Sequence, residues 1–171
     1  MMRMFPALLA ALVLPMPSPA QRVSPHEKTT GTIAGKTITI EYGRPYKKGR
    51  KIFGGLEPFG TVWRTGADEA TTITTPADLM IGSIHVPAGT YSLFTIPNEK
   101  EWTIVINKVA QQMGAFEYDQ KMDVGRAPMK LEKASSPLEQ LTITIESRGG
   151  NQGVLWIAWD DAIATVSIMV H

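Results

Sequence analysis

One segment of the sequence, residues 42–71, concentrates side chains that could bind a ligand or react with one. It combines cationic, acidic and aromatic residues with six glycines and two prolines. Long loops in compact domains are more often functional than short connections. We therefore predict the ligand site here, with these candidate binding residues: Arg44, Lys48, Arg50, Trp63, Arg64, Asp68 and Glu69.

The arginines of this segment suit an anionic ligand. Arg44 and Arg64 can each offer a planar guanidinium fork to a carboxylate or phosphate, and Trp63 offers a face on which a sugar ring could stack. A structural role fits the same residues, with Arg64 paired to Asp68 or Glu69 and Trp63 filling the core. An anionic small molecule or a carbohydrate is the expected ligand if the guanidinium donors are free.

Asp68 and Glu69 also raise the possibility of acid–base chemistry, because paired carboxylates cleave glycosidic bonds. Adjacent residues on an extended strand point to opposite faces, which argues against a facing pair. A partner carboxylate would have to come from Glu41, Asp160 or Asp161. We predict no catalytic residues, and a hydrolase of envelope or polymeric carbohydrate stays an alternative.

Other chemistries lack their usual residues. The three histidines (His26, His85 and His171) do not have the spacing of a zinc motif, and the chain has no cysteine. There is no serine-nucleophile elbow and no phosphate-binding glycine loop followed by a helix. We therefore predict no metal and no cofactor.

The N-terminus has the pattern of an export signal. Arg3 precedes an apolar run, and Ser18-Pro19-Ala20 provides the small residues that a signal peptidase reads. We predict a signal peptide at residues 1–20 and a secreted or periplasmic protein. The chain has 17 Lys+Arg and 16 Asp+Glu, so losing Arg3 would balance the charge, which argues against nucleic-acid binding. No segment is apolar for long enough to span a membrane.

The elements that must position the candidate residues are strands. Period-two alternation recurs, for example at Ile38, Ile40 and Tyr42, and β-branched residues fill these runs. We predict an all-β, antiparallel β-sandwich of the jelly-roll or Ig-like kind, with one long ordered loop and at most a short helix. Residues 21–30 are expected to form a loose arm, and residues 31–171 one domain. Asp160-Asp161 is expected to link two separate strands.

Several motifs appear in an order that resembles the bacterial family called domain of unknown function 2911. They are EYGRP (residues 41–45), KGRKIFGGL (48–56), VWRTGADEAT (62–71), PAGTYSLFTIP (87–97) and EWT (101–103). The resemblance implies an exported β-domain, and it supplies no catalytic residues.

We thus expect a non-catalytic module that binds a small ligand or a protein partner through the long loop. The alternatives are the carbohydrate hydrolase and a structural or assembly module, which would expose an apolar strand face or edge.

Overall fold

The computed structural model describes residues 24–171, so the expected signal peptide lies outside the described residues. Within them the chain is all β, with one 3-10 turn at Gln120–Met122. The strands are β1 (His26–Ile33), β2 (Lys36–Gly43), β3 (Ala67–Thr75), β4 (Leu79–Ile81), β5 (Ile84–Val86), β6 (Gly89–Ile96), β7 (Trp102–Asn107), β8 (Asp123–Gly149) and β9 (Gln152–Val170). None of the helical structure in this part of the chain is long and apolar enough to cross a bilayer.

All nine strands belong to one hydrogen-bonded ladder in the order β1-β2-β3-β6-β7-β8-β9-β4-β5. Every neighbouring pair is antiparallel, which confirms the prediction of an all-β, antiparallel fold. The ladder curls until β1 and β2 meet the second half of β8. The Ile143 amide donates to the Tyr42 hydroxyl at 3.1 Å. Gly31 lies so close to Ile145 that any Cβ at position 31 would overlap its side chain.

The core follows the alternation seen in the sequence. Ile38, Ile40 and Tyr42 of β2 point inward and are almost fully buried. An aromatic cluster closes one end of this core. Trp63 stacks on Trp159 with ring centroids 6.0 Å apart, and the Phe53 ring meets the edge of Trp102 at 4.5 Å. Phe53 and Trp63 come from the long loop, so the cluster fastens that loop to the sheet.

The first strand differs from the expected loose arm. His26 to Thr30 pair in continuous register with β2, from His26 opposite Gly43 to Thr30 opposite Thr39. The side chains there are polar because β1 is the edge of the ladder, and its backbone hydrogen bonds with β2 hold it in place. Polar composition alone therefore gave the wrong expectation for residues 26–30.

The expected turn at Asp160-Asp161 is also wrong, because β9 runs through it as one strand. Asp160 has a φ of 52°, and it lies opposite Leu138 where the register of β8 shifts on both sides. The two acidic residues thus mark a local irregularity in a long strand pair. The Asp160 carboxylate has its partners in the long loop.

Candidate functional site

The long loop occupies residues 44–66, between β2 and β3, and it is ordered as predicted. One anchor is the Asp160 cluster, formed by Lys47, Ile52 and Asp160. The Lys47 ammonium lies 2.6 Å from one carboxylate oxygen of Asp160. The other oxygen accepts from the Ile52 amide at 3.2 Å. Asp160 is 7% exposed, so this group is internal and its partners are satisfied.

Arg44 is held by the neighbouring strands. Its guanidinium donates to the Leu141 carbonyl at 2.9 Å, to the Thr142 hydroxyl at 3.1 Å and to Glu27 at 3.5 Å. All three guanidinium nitrogens therefore have acceptors. Arg44 ties the end of β2 to β8, and three of its five N–H groups are used within the protein.

Three other predicted residues come together in one cavity. Lys48, Arg50 and Arg64 line a cavity with a volume of about 370 Å³, together with Glu57 and Trp159. We call it the basic pocket. Its remaining lining comes from Ser24, Pro45, Tyr46, Leu56, Gly66 and Ala67. The loop forms one wall, and the start of β3 with Trp159 forms the other.

The cations of the basic pocket keep unused donors. Arg64 donates from Nε to the Gly66 carbonyl at 3.2 Å, and within residues 24–171 its two terminal nitrogens make no hydrogen bond. Arg50 is oriented by the Lys47 and Tyr46 carbonyls at 2.9 and 2.7 Å. The Lys48 ammonium forms no ion pair within the described part of the chain. Fixed guanidiniums with free N–H groups are a favourable arrangement for binding a carboxylate or phosphate.

Among residues 24–171, Glu57 is the only carboxylate in the lining of the basic pocket. Burial raises its pKa to about 7, and the nearby charges of Arg64 and Arg50 lower the pKa only in part. No cation among residues 24–171 lies within 4 Å of its carboxylate as an ion pair. Near neutral pH the charged and the protonated forms of Glu57 are therefore both populated. In the protonated form it can donate a hydrogen bond into the pocket.

The backbone is strained beside the basic pocket. Lys48 has a φ of 51° and Thr65 a φ of 57°, in the left-handed region that non-glycine residues rarely occupy. Thr65 is held there by its contacts, since its hydroxyl lies 3.0 Å from that of Thr95 and its carbonyl accepts from the Thr71 hydroxyl at 2.9 Å. Such strain is concentrated at functional sites in proteins.

The aromatic residue of the pocket is not the predicted one. Trp63 is 3% exposed and belongs to the core, where its backbone pairs with that of Thr95. Trp159, from β9, lines the pocket but is itself only 1% exposed, so the accessible aromatic ring of the lining is that of Tyr46, which is 41% exposed. Sequence reasoning missed both Trp159 and Glu57. Glu57 did carry a signal, because it is the only acidic residue in the loop 44–66.

Asp68 and Glu69 lie outside the basic pocket, and they point to the same side. The Nε2 atom of His26 is 3.6 Å from the Asp68 carboxylate and 3.3 Å from that of Glu69. The expected opposite orientation is wrong because Asp68 has a φ of 64°, and the register between β2 and β3 jumps at this point. Neither residue pairs with Arg64 in the part of the chain that the structure describes.

A second cavity of about 580 Å³, the His26 cavity, is lined by His26, Glu41, Glu69 and Glu117 among others. Of the carboxylates considered as partners for the acidic pair, Glu41 is therefore nearby. Asp160 is paired with Lys47, and Asp161 lines a different cavity. No group of three or more histidine and carboxylate side chains within residues 24–171 is placed to hold a metal ion.

Comparison with known families agrees with the motifs. The profile of the family described as "Protein of unknown function (DUF2911)" matches residues 24–168. The chain belongs to the DUF2911 family. The match spans nearly the whole described domain, from just before β1 to position 168, near the end of β9. No curated protein and no solved structure matches the chain, so its own geometry must support any assignment of function.

Proposed function

We propose that this domain binds a small organic anion in the basic pocket without transforming it. The observation that carries the proposal is the meeting of Lys48, Arg50 and Arg64 around one cavity, with guanidinium and ammonium donors that no residue of 24–171 uses. Arg64 is half-buried, where donors without acceptors are costly, and a bound carboxylate or phosphate would satisfy its terminal nitrogens.

The charge of the pocket favours the same ligand. Three cations face one carboxylate, and that carboxylate is partly neutral near pH 7 because burial has raised its pKa. Positive charges held together in a cleft attract an anion, and a bound anion would reduce the repulsion between them. When protonated, Glu57 can donate to a ligand oxygen that the arginines also contact. The ligand and the proton on Glu57 should therefore bind together.

Size and apolar lining narrow the ligand class. A cavity of about 370 Å³ lies at the lower end of the usual range for small-molecule sites. Leu56 and Tyr46, both exposed, provide an apolar surface beside the charged groups. A small dicarboxylate or a sugar acid fits this combination, since each presents an anionic group on a short carbon skeleton. We also propose that binding takes place outside the cytoplasm, on the basis of the signal-peptide pattern at residues 1–20.

The test is calorimetry and thermal shift on the purified protein with succinate, galacturonate, phosphate and neutral glucose. We expect the organic anions to raise Tm and glucose to have no effect, since ligand binding stabilises the folded state. Arg64→Gln should weaken binding roughly tenfold or more, as expected for loss of charge-assisted hydrogen bonds. Arg148→Gln is the matched control, because Arg148 pairs with Glu146 away from the pocket. Equal affinity in Arg64→Gln and the wild type would refute the proposal.

The His26 cavity supports a second candidate, a hydrolase of polymeric carbohydrate. Glu41, Glu69 and Glu117 line one cavity, and paired carboxylates in a cleft are what glycoside hydrolysis requires. Its test is hydrolysis of a panel of soluble polysaccharides by the wild type and by Glu69→Gln. Activity that disappears in Glu69→Gln and persists in Arg64→Gln would assign hydrolysis to this cavity. A wild type that releases no sugar from any member would exclude it for that panel.

A further inference from the structure

At the far end of the ladder, two thioether and two imidazole side chains come together on three neighbouring strands. Met80 of β4 lies directly opposite His85 of β5 on one side and Met169 of β9 on the other. His171 follows two residues after Met169, and its amide donates to the Asp78 carbonyl at 3.0 Å. We call His85, Met80, Met169 and His171 the Met80 row.

The members of the row share the outer face of the sheet. Their neighbours Leu79, Ile81 and Ile168 are buried in the core, and side chains alternate between the two faces of a strand. Directly opposed residues of antiparallel strands have Cβ atoms only about 5 Å apart. Met80 and Met169 also line one surface cavity of about 310 Å³. Both sulfur atoms are therefore within reach of a single ion placed above Met80.

The two imidazoles extend the row. The ring centroids of His85 and His171 are 6.4 Å apart, and Nε2 of His85 lies 3.4 Å from the Asp78 carboxylate. Asp78 accepts from the Ala88 amide at 2.9 Å with its other oxygen, so the carboxylate itself is fixed. A carboxylate next to one imidazole nitrogen orients the ring and leaves Nδ1 as the metal-binding atom. The His85 side chain is 58% exposed, so an ion can approach it from solvent.

We propose that the Met80 row is a binding site for a soft monovalent cation, copper(I), with Met80, Met169 and His85 as ligands and His171 as the fourth. Thioether sulfur and imidazole nitrogen are ligands that suit copper(I), whereas magnesium, calcium and manganese prefer oxygen ligands. The chain has no cysteine, so no thiolate competes for the ion. Arg148 is the one cation among the described residues that line this 310 Å³ cavity, and it pairs with Glu146 at 2.9 Å.

The experiment is an anaerobic titration of the purified protein with copper(I), kept reduced by ascorbate and buffered by the coloured chelator bicinchoninate. We expect the wild type to remove one equivalent of copper(I) from the chelator. Met80→Leu and Met169→Leu should each weaken binding at least tenfold, and the double variant should lose it. Leucine is close to methionine in volume, so the fold should be kept, and an unchanged Tm without metal checks this.

Met113→Leu is the matched control, because Met113 is an exposed methionine on the loop after β7, away from the row. It should bind copper(I) like the wild type, and so should Arg64→Gln, which separates this site from the basic pocket. His85→Ala should weaken binding, and a tenfold excess of zinc(II) should not displace the copper(I). Full stoichiometry in the double methionine variant, an equal loss in Met113→Leu, or displacement by zinc(II) would each overturn the proposal.

Discussion

The Asp160 cluster and the basic pocket are both built by the same loop. Each combines a carboxylate with nearby positive charge. In the Asp160 cluster, Lys47 contacts the carboxylate at 2.6 Å and the Ile52 amide contacts it at 3.2 Å. In the basic pocket, Glu57 has a raised pKa of about 7 and no ion pair within residues 24–171. One group has its polar atoms satisfied by the protein, while the other has donors left over. The difference separates a structural ion pair from a place where a ligand can bind.

Substitution of Asp160 should give the largest effect in a test of this difference. Asp160→Asn should lower the free energy of unfolding by about 3 kcal/mol, because it leaves the Lys47 ammonium internal and without its counter-charge. Asparagine tolerates the positive φ of this position, so the loss would come from the charge. Urea unfolding measures it, with Asp161→Asn, an exposed neighbour, as the control that should change little. A similar loss in both variants would show that the ion pair is not the cause.

The two arginines test the same distinction with a smaller effect. Arg44→Gln should cost about 1–2 kcal/mol of unfolding free energy, since its guanidinium bonds to Leu141, Thr142 and Glu27 would be lost. Arg64→Gln should cost less than about 0.5 kcal/mol, because Arg64 makes a single hydrogen bond, to a backbone carbonyl, within the described residues. Thermal and urea unfolding of both variants check this. The opposite order of stabilities would assign the structural role to Arg64.

The last effect is a dependence of stability on pH that Glu57 should cause. Its pKa is raised from 4.5 to about 7, so between these values the folded protein holds a proton that the unfolded chain releases. The contribution of Glu57 to stability therefore falls as pH rises from about 4.5 to about 7, and it stays low above. Glu57→Gln removes this fall and should be more stable than the wild type by about 1 kcal/mol at pH 8.

Near pH 4.5 the Glu57→Gln variant and the wild type should unfold at nearly the same urea concentration. The measurement is urea unfolding at several pH values between 4.5 and 8, with Glu99→Gln as a control for an exposed carboxylate. Parallel pH profiles for the wild type and Glu57→Gln would mean that Glu57 is not withdrawn from water. They would also remove the expected link between the proton on Glu57 and anion binding.

Much of the fold could be predicted because its signals are local. Alternation located β2 and β7, and turn-forming residues marked the long loop. The first half of β8 was not predicted as a strand, although Ala127, Met129 and Leu131 alternate there with Pro128, Lys130 and Glu132. That stretch is a strand because β9 pairs with it, from Lys130 opposite Thr165 to Lys133 opposite Ala162. Pairing between distant segments leaves little trace in either segment alone.

The candidate site was predicted in part for the same reason. Lys48, Arg50 and Arg64 could be proposed from residue type and loop composition, and the structure brings them to one cavity. Arg44 looked equivalent, yet its place beside Leu141 gives it acceptors. Trp159 is more than ninety positions from Trp63 in the sequence, and nothing local indicates which of the two tryptophans reaches the pocket.

By itself the sequence determined that this chain forms antiparallel strands with one long, cation-rich loop, because alternation and turn chemistry act between residues a few positions apart. Only the tertiary structure decided which charges are satisfied and which stay open. Asp160 pairs with Lys47 and Asp68 meets His26 across large gaps in the sequence. The positive φ of each acidic residue overrides the simple alternation of a strand. The satisfaction of a charge depends on distances between segments that folding brings together, and those distances make the basic pocket the candidate site.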